Sequence, residues 1–162
     1  MIVVSDSSPL IALASVGCLD LLPKLYVRVL IPRAVYEEVV RDGDARAGAA
    51  ELAAAAWMEV VEVDDDRSES AVGGHLGRGE TQAIFLARTR RADLLIVDDH
   101  GARKRAEALG ITVIGVAGVL LDAKQEGHIP AVRPLLDRIL ATVGFRLHRR
   151  LYDEVLRAAG ES

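Results

Sequence analysis

Cysteine is almost absent from this chain: Cys18 stands alone among 162 residues. One thiol cannot form an intrachain disulfide, which suits a reducing compartment, and its apolar surroundings mark Cys18 as a core residue rather than a nucleophile. Aromatic residues make up only 4%, so packing falls to Ala, Val and Leu, as in tightly layered α/β proteins. No stretch approaches the roughly 18 uninterrupted apolar residues of a membrane span. The chain opens directly on a strand pattern, without the basic start and long apolar region of a signal peptide. A soluble, cytoplasmic protein is the expectation. Charge is also nearly balanced, with 24 acids against 20 Lys and Arg and a net charge of -4. That excludes a protein that coats nucleic acid by bulk charge and leaves only local basic patches.

The length suits one compact unit, 1–162, with the C-terminal helices (about 130–159) as an extension. Short apolar runs alternate with helical patterns from end to end. Strands are predicted at Ile2–Val4, Val27–Ile31, Met58–Val63 (toward an edge), Leu94–Val97 and Ile111–Ile114. A helix starts after the first strand, with Ser8 as its N-cap and Pro9 in the first position. Leu19 to Leu25 reads as a short helix or turn closed by Pro23, and Pro32 opens a helix over Arg33–Arg41. Further helices are predicted at Ala49–Ala56, Glu80–Arg91, Ala102–Leu109 (ended by Gly110), Val116–Gln125 (stopped by Gly127), Ala131–Thr142 and His148–Ala159. Gly43–Gly48 reads as a loop, and the acidic run Asp64–Asp66 as a solvated stretch. The glycines of Gly73–Gly79 lack the Lys-Ser/Thr ending of a P-loop and instead let the following helix pack closely. This alternation, without internal repeats, predicts a three-layer α/β/α sandwich around a central, mainly parallel sheet.

The residues that carry chemistry are acids at strand ends and helix starts: Asp6, Glu38, Glu80, Asp98 and Asp99. Any one of them is also a good cap, turn or first-turn residue. A parallel sheet with right-handed crossovers can bring all five to one edge, where α/β proteins bind ligands. Carboxylates gathered without a paired Lys or Arg repel each other and call for a hard cation, Mg²⁺ or Mn²⁺; Zn²⁺ would want His or Cys. The chemistry of such a cluster is phosphodiester hydrolysis, with Glu38 or Asp99 free to orient water. Arg78, Arg103, Lys104 and Arg105 lie near the acids, and Arg146, Arg149 and Arg150 form a C-terminal basic patch. Ser7 is a candidate to position a phosphate.

These residues resemble a family. Asp6 after the first strand, Ile31-Pro32-x-x-Val35-x-x-Glu38, Gly77-x-Gly79-Glu80-x-x-Ala83-Ile84, and Ile96-Val97-Asp98-Asp99 with Arg103 a turn later resemble the PIN-domain nucleases. The likeness is greatest to the prokaryotic branch related to VapC-type toxins, as is Gly115-x-x-Gly118-Val119-Leu120-Leu121-x-Ala123-Lys124-x-x-Gly127. It spans about residues 1–130. It implies that Asp6, Glu38, Glu80 and Asp98 bind the metal with Asp99 as accessory ligand, and that single-stranded RNA is cleaved; the sequence itself supplies Ser7, Arg78 and Arg103 as candidate RNA contacts. The resemblance also implies a homodimer and an inhibitory antitoxin. The sequence departs from the family at Glu80, where Asp is common, and at Val97, where Thr or Ser is. The competing expectations are a PIN-like module that binds RNA or a partner without catalysis, and another acid-cluster phosphohydrolase. Asp6-Ser7-Ser8 lacks the Asp-x-Asp of aspartyl-phosphate phosphatases, and Lys124 falls in a helix rather than where a receiver domain needs it.

Overall fold

The computed structural model describes residues 1–41, 49–143 and 146–162; the predicted Gly43–Gly48 loop lies outside the described residues. Five short strands, β1 (Val3–Ser5), β2 (Val29–Pro32), β3 (Met58–Val61), β4 (Leu94–Ile96) and β5 (Val113–Ile114), form one sheet. Their order is β3-β2-β1-β4-β5, and every pairing is parallel. Parallel neighbours need crossover segments, and helices supply them. Between β1 and β2 run α1 (Ser7–Ser15) and α2 (Leu21–Tyr26); between β2 and β3 run α3 (Arg33–Tyr36) and α4 (Ala49–Ala53). The crossing from β3 to β4 uses α5 (Asp65–Val72) and α6 (Arg78–Thr89), and α7 (His100–Ala108) leads to β5. After β5 come α8 (Val116–Gln125), α9 (Arg133–Thr142) and α10 (Arg149–Ala158).

Successive strand side chains point to opposite faces. Val3 joins an apolar cluster with Leu10, Leu13, Val116 and Leu120, whereas Val4 joins another with Ile84, Leu86 and Ala102. Helices therefore cover both faces of the sheet, giving the three-layer α/β/α architecture. Strands buried on both sides must be apolar throughout, which is why their runs are so legible. Among the described residues no helix is long and apolar enough to cross a membrane.

Several local expectations need correction. Helix α1 begins at Ser7, one residue before the predicted cap Ser8, and Asp6 occupies the N-cap position without bonding the helix through its side chain. Pro9 and Pro23 both lie in the first turns of their helices, where the missing N–H has no intrahelical partner in any residue type. Pro23 thus sits in the opening of α2 rather than closing it. Val27 is exposed at φ 66°, so β2 starts two residues later than predicted. The stretch after Asp64 is helical: Asp64 accepts the Arg67 N–H as a true N-cap, and only Ser68 and Val72 of α5 are buried, too few for a visible period. Helix α6 starts at Arg78 rather than Glu80, and α9 at Arg133 rather than Ala131.

The chain end is held by a charged ring. Lys124 Nζ donates to the Ala159 carbonyl at 2.6 Å and to Glu161 Oε2 at 2.9 Å, while Glu161 accepts the Val132 and Arg133 N–H groups at 2.8 and 3.0 Å. Burial alone would raise the Glu161 carboxyl; these donors outweigh it and hold it at about 2. Because the folded value lies below the ordinary 4.5, this stabilisation is present above pH 4.5 and fades as pH falls toward 2. Glu161→Ala is expected to lower stability by about 2 kcal/mol, or roughly 4–8 °C in Tm, in thermal melts at pH 7. A melt unchanged at pH 7 would show the ring to be energetically idle.

Candidate active site

The order of the strands reverses between β1 and β4, the switch point at which a crevice opens beyond the carboxyl ends of the strands. Register places two acids there. Ser5 pairs with Ile96, and the Asp6 N–H donates to the Ile96 carbonyl at 2.9 Å, so Asp6 leaves β1 beside the residues that lead to Asp98. The Asp6 side chain is 2% exposed, and its Oδ1 is buried with no hydrogen-bond partner. Aspartate at an N-cap ordinarily spends its oxygen on the helix. Here that oxygen is held in reserve.

Glu38 arrives from β2. The predicted helix over Arg33–Arg41 divides into α3 and a π-helical turn, Glu37–Arg41. Such turns insert an extra residue per turn and re-aim side chains, often at functional sites. Glu38 accepts a hydrogen bond from the Ser7 hydroxyl at 2.8 Å, which ties β2's outgoing segment to the first residue of α1. Its carboxylate also lies against Gly79: a Cβ built there would overlap Glu38 Oε1 and stand 3.0 Å from Cδ. An alanine at this position would oblige the Glu38 carboxylate to shift, so the glycine serves a close approach rather than a special backbone conformation.

Asp98 receives the Val116 N–H on both oxygens, at 3.1 and 3.2 Å, and so sits at the N-terminus of α8, where the helix dipole favours an anion. Gly115 leaves room for it, since a Cβ there would overlap Asp98 Oδ1. Asp99 Oδ2 accepts the Ala102 N–H at 2.9 Å and caps α7. Glu80, in the first turn of α6, lies close enough to feel the charges of Asp99 and Glu38. The structure therefore gathers Asp6, Glu38, Glu80, Asp98 and Asp99, from four different segments, at one end of the sheet.

The family described as "DUF3368: PIN domain" matches residues 2–161. The chain belongs to the PIN-domain family. PIN domains are generally nucleases and typically use divalent metal ions. The match continues through α9 and α10, beyond the roughly 130 residues over which the motifs resemble it. Among solved structures, a PilT N-terminus domain protein from the hyperthermophilic archaeon Sulfolobus solfataricus P2 is similar, with a TM-score of 0.56 and 19% identity. The similarity covers 80% of this chain and 98% of that one, and supports the fold alone. No curated protein matches the chain.

The electrostatics of this PIN domain follow from burial and crowding. Burial pushes the Asp6 carboxyl up to about 7; the Ser7 backbone N–H offsets part of this, and repulsion from Glu80, Glu38 and Asp98 adds to it. Burial likewise raises Asp98 to about 6 against the pull of the Val116 N–H and of Arg103. Glu80 is raised by burial and by Asp99. A native carboxyl above its ordinary value holds protons that the unfolded chain releases, so metal-free stability must fall as pH rises through that interval. Without added metal, Tm is expected to decline between about pH 4 and pH 7 and then level off. The total effect is of order a few kcal/mol. A flat melting profile in EDTA across this range would contradict the crowding.

A hard cation fits the residues present. The donors are all carboxylate oxygens, as Mg²⁺ or Mn²⁺ prefers, and Asp6 contributes an orphan oxygen that burial makes costly to leave bare. Among the described residues no three His, Cys, Asp or Glu side chains stand close enough together to hold a metal ion as a group.

The basic candidates are largely engaged. Arg78 donates to Asp65 at 2.9 Å and Glu37 at 3.2 Å, Arg103 to the Val97 carbonyl at 3.1 Å, and Arg105 to the Val72 carbonyl at 2.6 Å. Lys104 is exposed on α7. On α10, Arg149 and Arg150 pair with Asp153 and Glu154 one turn on, and Arg146 is exposed just before it. Sequence reasoning missed Gln82, 1% exposed, which accepts the Ala34 N–H and donates to Asp65, joining α3, α5 and α6 behind the acids. It also missed the backbone N–H of Val116, which has no sequence signature because every residue but proline carries one.

Proposed function

We propose that this PIN domain is a metal-dependent endoribonuclease that hydrolyses phosphodiester bonds in single-stranded RNA. The observation that carries the reading is the buried, unpartnered Oδ1 of Asp6 among four further carboxylates at the switch point of the sheet. Asp6, Glu38, Glu80 and Asp98 would hold Mg²⁺ or Mn²⁺, with Asp99 as accessory ligand. A bound cation would supply Lewis acidity toward the phosphate and a water of lowered pKa. The chain's own residues do the positioning. Ser7 fixes the direction of Glu38, the Val116 N–H fixes Asp98, and capping of α7 fixes Asp99. Hydrogen bonds of this kind, one from a hydroxyl and the others from backbone N–H groups, hold the carboxylates with little conformational freedom, which favours a preorganised site.

The resemblance extends the proposal to the toxin of a toxin–antitoxin pair, acting in the cytoplasm as a homodimer and held in check by an antitoxin. Purified protein incubated with single-stranded RNA and Mn²⁺ is expected to cut it, and EDTA to stop the cutting. RNA retained without metal-dependent cleavage would instead favour a binding module, and the absence of both would reject the proposal.

A further inference from the structure

Beside the acids lies a second hollow that the proposed chemistry leaves unused. It has a volume of about 550 Å³ and is bounded by α5, the first turn of α6 and the Gly73–Leu76 segment between them, well within the range of small-ligand sites. Gly73, Gly74 and His75 all have positive φ, so the chain bends sharply to form its rim; His75 does so at φ 56° without being glycine. The rim touches the acidic cleft. Leu76 lies against Gly101, which adjoins Asp99, and Glu80 leaves the same turn of α6 that gives Arg78 and Thr81 to the hollow.

The lining is rich in acceptors. Ser68 and Thr81 spend their hydroxyl protons on the carbonyls of Asp65 and Gly77, so toward a ligand they offer lone pairs. Asp65 is already held by Arg78 and Gln82. Glu69 is exposed and keeps a carboxylate without a partner among the described residues. The donors facing this set are Arg78, which uses Nε and Nη1 and leaves Nη2 unpaired among the described residues, and the imidazole of His75. A phosphate would meet carboxylates here and be repelled.

We infer that this hollow is a base subsite, selective for guanine in the RNA strand whose backbone crosses the acidic cleft; the inference rests on the nuclease reading above. Guanine presents N1–H and an exocyclic amino group side by side, a pair that one carboxylate accepts together, with O6 adjacent to receive a guanidinium or imidazole proton. Uracil offers a single N–H between two carbonyl oxygens, which the carboxylates disfavour. Single-stranded RNA is commonly read in this way, through the Watson–Crick edge of an unstacked base. Glu69 is the specificity-determining residue of the pair and has no part in the acid cluster.

Two measurements on the full chain test this. With EDTA present, guanosine is titrated while the amide resonances of residues 73–81 are followed by NMR, with inosine (no 2-amino group) and uridine as comparisons. Guanosine is expected to bind roughly tenfold more tightly than either, and Glu69→Gln to remove the difference. Equal shifts with all three nucleosides, no binding, or a preference that survives Glu69→Gln would overturn the inference, as would a Lys-rich peptide occupying these residues in place of guanosine. With Mn²⁺, cuts in a random-sequence RNA are expected to show guanine enriched at one fixed position. Glu69→Gln should flatten that enrichment while total cleavage stays within about twofold. Cuts with no base preference would also overturn it. If no RNA is cut, the nuclease reading fails and the nucleoside titration alone decides the hollow.

Discussion

Asp6→Asn is expected to make the metal-free protein more stable and to abolish the proposed RNA cleavage. At pH 8 the native chain carries a buried carboxylate that burial and three neighbouring acids push up to about 7; the amide removes that charge without changing the shape. The gain is expected at about 2 kcal/mol, or roughly 4–8 °C in Tm in EDTA, smaller than the whole penalty because one buried oxygen still lacks a donor. At pH 5 Asp6 is already mostly protonated, so the variant and the parent should melt within a degree or two of each other. Cleavage of RNA with Mn²⁺ should fall more than about 100-fold, since loss of even an outer partner of a metal ligand costs about 10–100-fold. A variant that melts lower than the parent at pH 8, or that keeps its activity, would contradict the role assigned to this carboxylate.

Gly79→Ala is the second large effect, and its sign is opposite to the usual rule. In a helix, alanine normally gains about 1 kcal/mol over glycine. At Gly79 the added methyl overlaps the Glu38 carboxylate, which is also held by Ser7 at 2.8 Å and so cannot swing aside without losing that bond. Overpacking of this kind costs about 1–3 kcal/mol, and the displaced Glu38 should weaken both metal-induced stabilisation and cleavage. Shortening the clashing side chain should relieve it. The double variant Gly79→Ala with Glu38→Asp is expected to recover Tm relative to Gly79→Ala, though not activity. A Gly79→Ala protein that melts higher than the parent would show that Glu38 yields freely.

Much of this was readable before any coordinates. Leu94-Leu95-Ile96-Val97 followed by two aspartates announces a buried parallel strand whose end faces a ligand, because a strand covered on both faces has no polar positions until it emerges. Asp6 repeats that pattern, and Glu80 follows glycines into a helix. Other features were hidden. The amphipathic signal of α5 is confined to Ser68 and Val72, and the π-helical turn at Glu37–Arg41 leaves no periodic trace. Ser8 reads as the better cap because local chemistry alone does not show that the helix starts at Ser7, with Asp6 at the cap position and its Oδ1 unpartnered.

The amino-acid order by itself determined the α/β class, the apolar strands and the identities of the five acids, since these depend on residues near one another along the chain. Only the tertiary structure decided that the acids share one end of the sheet, that Glu38 rests against Gly79 and on Ser7, and that the Val116 N–H holds Asp98. Those contacts join segments tens of residues apart, and they depend on strand order, register and the few ångströms of space left by a missing Cβ.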